Sequence, residues 1–271
     1  MKNIILLTDF SDTARNAALY ALKLFEHADA HFTLLNAYDI EFSGTPYIVQ
    51  VKEELAAESV EKLNSDLFFL QKRMPEAKIK IVSCFGSLVD AVRTELEASS
   101  YDIVVMGCKG ESAVEYFLLG SNTYEVIKHV KAPLLVVPGH ITYRRPERIT
   151  FATDMKSMEN EELMKPLLSI ASKCGSEMLF VNVLGAEYVN RLQVEQQLAS
   201  YLKGVRISFH FVEGDDIRQA ILDFMEEHDS NFATLVRHDL KFLDRLFKPS
   251  FTKQMVLKPQ HPMLILRDKM N

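Results

Sequence analysis

Tryptophan is absent from the 271-residue chain, cysteine occurs three times, and glycine and proline supply only 10 and 9 residues. So little glycine and proline, beside 48% hydrophobic and 25% charged residues, excludes collagen-like and low-complexity chains and fits a globular protein. The cysteines, Cys84, Cys108 and Cys174, form no CxxC pair and cannot all be bridged, which argues against a disulfide framework and for a reducing compartment, with each thiol a buried spacer. No apolar run approaches the roughly 20 residues needed to cross a bilayer. The opening MKNIILLTDF meets an acidic residue too soon for a signal peptide, so a cytoplasmic protein without membrane contact is expected. Positive charge is also scarce: 31 Lys and Arg against 37 Asp and Glu give a net charge of −6, and the basic stretches KRMPEAKIK and YRRPER are short and mixed with acids. Nucleic acid is therefore not an expected partner.

What the chain does contain is a repeat. "NIILLTDFS" near the start matches "RITFATDMK" near the middle, with Thr8-Asp9 opposite Thr153-Asp154. "HFTLLNAYD" matches "EMLFVNVLG", setting Asn36 opposite Asn182; "CFGSLVDAVRTEL" matches "FVEGDDIRQAILDF", setting Gly86 opposite Gly214 and Ala91 opposite Ala220; "VKAPLLVVP" matches "PQHPMLILR", setting Pro133 opposite Pro262. Anchors in one order divide the chain into residues 1–138, a polar Pro-containing linker at 139–147, and residues 148–271.

Within the first half, β-rich runs at Ile4 to Leu7, Phe32 to Ala37, Ile79 to Val82, Ile103 to Met106 and Leu134 to Val137 alternate with helical periods at Thr13 to Glu26, Lys52 to Arg73, Leu88 to Ala98 and Thr123 to His129. The first helix gathers Ala14, Ala17, Ala18, Ala21, Leu22 and Phe25 on one face, and Ser11 or Asp12 can cap it. The second half repeats the strands near Ile149 to Ala152, Leu179 to Val183, Ile207 to Val212, Phe232 to Val236 and Met263 to Leu266. Alternation of this kind predicts an α/β chain of two tandem, doubly wound, five-stranded parallel sheets joined by right-handed crossovers.

Three of the ten glycines fall in one stretch, MGCKGESAVEYFLLGS, directly after the apolar run Ile103, Val104 and Val105. Ligands of doubly wound sheets lie beyond the carboxyl ends of the strands, where this stretch begins. Gly107 and Gly110 permit unusual dihedrals and expose main-chain N–H groups. Gly120 and Ser121 precede a helix whose first N–H groups lack partners and whose dipole favours an anion. Ser121 can bond a phosphate or cap the helix, and Lys109 adds positive charge. Neither GxxxxGK[ST] nor GxGxxG is present. A turn and a helix cap explain the same spacing equally well.

The chain resembles a tandem universal stress protein: Gly107, Gly110, Gly120 and Ser121 spell that family's pattern G-x2-G-x9-G-[ST], and "LLTDFS", "DIVVMGCKG" and "APLLVVP" extend the likeness. The resemblance implies the adenine nucleotide alpha hydrolase-like fold and an adenine nucleotide, ATP or else ADP or AMP, with magnesium held through its phosphates. It implies that Thr8 and Asp9 face adenine and ribose, that Ala37 meets adenine through its main chain, and that Gly107, Gly110, Gly120, Ser121 and Asn122 hold ribose and phosphates. Asn122 departs from the small or apolar residue usual there. From the residues alone, Thr8-Asp9 reads first as a cap for the first helix. The family's domains pair through their last strands, which here implies an internal pseudo-dimer able to dimerise again.

Anchored at Pro133 and Pro262, the second half puts Val236, Asp239 and Pro249 where the first has Gly107, Gly110 and Gly120, with Ser250 opposite Ser121 and Thr252 opposite Thr123. Val resists the required dihedrals, Pro removes an N–H, and Asp brings like charge to a phosphate. Two unit charges about 4 Å apart repel by roughly 4 kcal/mol at an effective dielectric near 20, about a thousandfold in affinity. The second site is expected to be degenerate.

Metal and catalytic patterns are weaker. His27 and His31 straddle a helix end and a strand start, and His238 with Asp239 has no further ligand at a recognised spacing. There is no G-x-S-x-G or HExxH, and no residue is an obvious activator of water. The expected function is a nucleotide-binding, stress-response regulatory protein read by an unidentified protein partner; a slow ATPase and a nucleotide-free interaction scaffold are the alternatives.

Overall fold

A computed structural model of the protein describes residues 2–40, 48–108, 121–153, 161–184, 204–214, 216–237 and 260–267. Two compact units divide between Tyr143 and Arg144. In the first, β1 (Lys2–Leu7), α1 (Asp12–Leu24), β2 (Ala30–Tyr38), α2 (Ile48–Arg73), β3 (Lys78–Phe85), α3 (Leu88–Ala98), β4 (Ile103–Cys108), α4 (Ser121–His129) and β5 (Leu134–Pro138) follow one another. Their strands are parallel, in the order β3-β2-β1-β4-β5. The chain winds outward from β1 through β2 to β3, then returns to β1's other side with β4 and β5. The crevice at the carboxyl ends of β1 and β4 is thus the switch point of the sheet.

Central strands of such a sheet are covered on both faces, and the apolar runs reflect this. Ile4, Ile5, Leu6, Val104, Val105, Leu135 and Val137 are all buried, each contributing about 1.5–3 kcal/mol of transfer free energy. Helix α1 lies close to the sheet because its inner face is built from Ala14, Ala17, Ala18 and Ala21. Its Asn16 amide donates to the carbonyls of Pro138 and Ile141 at 3.4 and 2.8 Å.

The second unit contains β6 (Arg148–Ala152), α5 (Glu161–Cys174), β7 (Glu177–Leu184), β8 (Arg206–Glu213), α6 (Ile217–Glu227), β9 (Phe232–Arg237) and β10 (Met263–Arg267). Its parallel order is β8-β7-β6-β9-β10, the same winding as the first. Register agrees as well as order. Ile4 pairs with Ile103 as Ile149 pairs with Phe232, and Gly107 pairs with Val137 as Val236 pairs with Leu266. Val236 therefore stands at the structural equivalent of Gly107.

The stretch between the repeats is packed residue by residue. Tyr143 meets Tyr20 edge-on at 5.2 Å within the first unit. Arg145 Nε donates to the Cys174 carbonyl at 2.8 Å and Ser176 Oγ to the Pro146 carbonyl at 2.5 Å within the second.

Candidate functional site

Strand β1 stops at Leu7, paired with Leu35, while β2 continues to Tyr38. The Leu35 carbonyl accepts from Thr8 N–H at 2.9 Å, on the β1 side, and the Tyr38 carbonyl accepts from Gly86 N–H at 2.8 Å, on the β3 side. Main-chain groups alternate sides along a strand, so the N–H and C=O of Ala37 point toward the β1 side past the end of β1's ladder. One donor and one acceptor of a single residue are thereby presented together at the switch point.

The turn from β1 into α1 is fixed by side chains. Ser11 is the N-cap, its Oγ accepting from Ala14 N–H at 3.2 Å, so the capping function belongs to Ser11 and not to Thr8-Asp9. Phe10 takes φ = 67°, a left-handed conformation uncommon for a bulky residue. Its N–H donates to Thr8 Oγ1 at 2.9 Å, and Lys62 Nζ lies 5.6 Å from its ring centroid. Asp9 is exposed, and its Oδ1 accepts from Ser11 N–H at 3.1 Å and Ser11 Oγ at 2.5 Å. That leaves acceptor capacity on Asp9 for a further donor, since a carboxylate offers about four acceptor positions.

Thr8 differs from its sequence expectation. Its side chain turns inward, 6% exposed, and its hydroxyl donates to Asp66 Oδ2 at 3.0 Å. Asp66 is itself only 1% exposed, and its Oδ1 accepts from Arg15 Nε at 2.6 Å. That hydrogen bond raises the Arg15 guanidinium's pKa, against an opposing effect of burial. The Thr8 carbonyl accepts from Asn36 Nδ2 at 2.8 Å, and Asn36 Oδ1 accepts from Ser59 Oγ at 2.8 Å. Ser83 in turn donates to Ser59 at 2.8 Å, because the Ser59 proton is already committed. Sequence reasoning missed Asp66, Ser59 and the role of Asn36. A signal was present: Ser59, Leu63, Asp66 and Leu70 recur at helical spacing and all are buried, so two polar residues occupy the apolar stripe of α2.

At the other wall, Gly107 is needed for packing. A Cβ there would lie 2.6 Å from the Thr13 carbonyl oxygen and 2.8 Å from Thr13 Cγ2. The absent side chain is what lets the first turn of α1 rest on β4. Cys108, next along the strand, is 2% exposed, and burial pushes its thiol pKa from 9.0 to about 12. It is an inert spacer in this state. Helix α4 begins at Ser121, two residues before the expected start at Thr123, so Ser121 and the exposed Asn122 lie in the first turn, where main-chain N–H groups have no partner within the helix. Asn122 lines a groove with Leu88, Arg93 and His129. Lys109, Gly110 and Gly120 lie outside the described residues, as do Asp154, Asp239, Pro249, Ser250 and Thr252.

The second unit repeats the end of the first strand. Thr153 N–H donates to the Val181 carbonyl at 3.1 Å, and Asn182 Nδ2 donates to the Thr153 carbonyl at 3.0 Å. Among the described residues, no three His, Cys, Asp or Glu side chains are grouped to hold a metal ion, and no helix is long and apolar enough to cross a membrane.

Two doubly wound five-stranded parallel sheets in one chain, each with its switch point beyond the first strand, define a tandem α/β protein of the doubly wound class. A family model described as the universal stress protein family matches residues 1–138. A universal stress protein of Methanocaldococcus jannaschii is 30% identical over 140 residues, spanning 50% of this chain and 81% of that protein. Another, from a Synechocystis strain, is 22% identical over 98% of this chain and 100% of its own length. The crystal structure of a universal stress protein from Archaeoglobus fulgidus shares the fold across 98% of both chains, with a TM-score of 0.75 at 16% identity. The chain belongs to the universal stress protein family.

Proposed function

We propose that the first unit binds an adenine nucleotide and that its occupancy is read by a partner protein in a stress response. The observation that carries this reading is the overhang of β2 past β1, which offers the Ala37 N–H and C=O as a pair. Adenine presents a ring acceptor beside an amino donor, which complements that pair. The exposed Asp9 carboxylate, with acceptor capacity left over, suits a ribose hydroxyl. Gly107, Lys109, Gly110, Gly120, Ser121 and Asn122 supply the glycine pattern and helix start that suit phosphates, with magnesium held by the phosphates themselves.

Residues 1–138 then form the ligand-binding domain, 139–147 the connection, and 148–271 a domain retained for structure. Its Val236 fills the position where Gly107 lets α1 rest on the sheet, and Asp239 opposes an anion electrostatically.

The test is mass spectrometry of small molecules released from the purified, acid-precipitated protein, followed by calorimetric titration with Mg-ATP. Bound adenine nucleotide, with heat of binding lost in Gly110→Asp, is the expected result. Protein free of nucleotide that also gives no heat and no protection from unfolding sinks the proposal.

A further inference from the structure

Asp66 is the one buried carboxylate among the described residues, and none of the nucleotide contacts proposed above uses it. It stands on α2, yet both its oxygens serve the segment that follows β1: Oδ2 accepts from the Thr8 hydroxyl and Oδ1 from Arg15. A hydroxyl has one proton. Because Thr8 gives its proton to Asp66, an oxygen lone pair is left to receive Phe10 N–H, and this bond accompanies the left-handed φ of 67° at Phe10. The other side of the same residue is also held from α2, since Ser59 orients Asn36 and Asn36 holds the Thr8 carbonyl. Ser59 and Asp66 are seven residues apart, two helical turns, and so share a face. Residue 8 is pinned through its side chain and through its main chain, and Asp9 leaves the sheet from that pinned point.

We propose that Asp66 is the positioning residue of the nucleotide site: acting through Thr8, it sets the direction of the Asp9 carboxylate and thereby the recognition of the ribose. This rests on the nucleotide reading above. Thr8 belongs to the same device, with its hydroxyl directed at Asp66 in place of the ligand. A purely structural Asp66 would act through its ion pair with Arg15 instead, and the two roles separate experimentally.

The experiment is calorimetric titration of the full chain with Mg-ATP and with its 2′-deoxy and 3′-deoxy analogues, well below the melting temperature of each variant. The protein compared is the wild type with Asp9→Asn, Asp66→Asn, Thr8→Val and Arg15→Met. Losing one hydrogen bond to a charged group weakens binding by about tenfold or more, so the wild type should prefer ATP to at least one deoxy analogue by that factor. Asp9→Asn and Asp66→Asn should bring the ratio close to one. Thr8→Val, which keeps the packing and leaves the Asp66–Arg15 pair intact, should do the same and supplies the answer if Asp66→Asn fails to fold. Arg15→Met should keep the wild-type ratio even though it lowers the melting temperature. A ratio unchanged in Thr8→Val or Asp66→Asn overturns the positioning role, as does a wild type that binds ATP and both analogues equally. A wild type that binds none of them overturns the nucleotide reading itself.

Discussion

The carbonyl oxygen of Thr13 lies 2.6 Å from the point at which a Cβ on Gly107 would stand. A glycine read from sequence as part of a ligand loop is therefore fixed first by the approach of a helix to a strand. Gly107→Ala should destabilise the protein by about 1–3 kcal/mol, the range for forcing a carbon into a packed contact that only backbone movement can relieve. Urea titration measures this directly. An unchanged midpoint would mean that α1 shifts freely and that the contact sets nothing.

Gly86 offers the contrasting case. Its φ is +115°, and a Cβ there would meet nothing within 4 Å. Gly86→Ala should therefore lose stability through backbone strain alone, about 1–3 kcal/mol, with no repacking around it. Amide exchange should show the change confined to the start of α3. A change that spreads into α1 would contradict a purely local cause.

The fold was legible because the central strands are covered on both faces, which leaves continuous apolar runs such as Ile103 to Val105 and Leu134 to Val137. The repeat was legible because Pro133 and Pro262 fix an offset that the observed register of Gly107 and Val236 reproduces. The interior of the site was less so. The bonds of Thr8 to Asp66 and of Asn36 to Ser59 join segments distant in sequence, and no local propensity reports such pairs. Asp66 resembles any acid on a long helix until its register with Leu63 and Leu70 is noticed. The first described residues of α2 and α4, Ile48 and Ser121, lie a few residues before the starts expected at Lys52 and Thr123.

Cys108 makes a prediction about pH. Burial raises its thiol pKa from 9.0 to about 12, so the folded protein holds this proton after the unfolded chain has released it. The contribution to stability is complete below pH 9 and disappears as pH rises from 9 toward 12. The difference in unfolding free energy between wild type and Cys108→Ala should be flat up to pH 9 and then decline, with a limiting slope of about 1.4 kcal/mol per pH unit. Cys108 is buried and its thiol stays protonated at pH 8, so a thiol reagent should label it at the rate of unfolding. Rapid labelling of the folded protein would show that the thiol is accessible.

Asn36 and Asn182 each donate from Nδ2 to the carbonyl that follows the first strand of their repeat. Asn36→Ala leaves two groups without their partner, the Thr8 carbonyl and the Ser59 hydroxyl, and Ser59 can recover only through Ser83. Thr8 is buried, so water cannot replace the lost bond, and a loss of about 2 kcal/mol is expected. Asn182→Ala removes the bond that Asn182 Nδ2 gives the Thr153 carbonyl, at a residue that is only half-buried and within reach of solvent. Its loss should be nearer 1 kcal/mol. Measuring both by urea titration asks whether the two repeats have diverged at the end of the first strand as well as in the glycine pattern. Equal losses would mean that the polar support beneath Thr8 adds nothing beyond what the second repeat retains, and that the α2 network is not what holds this turn.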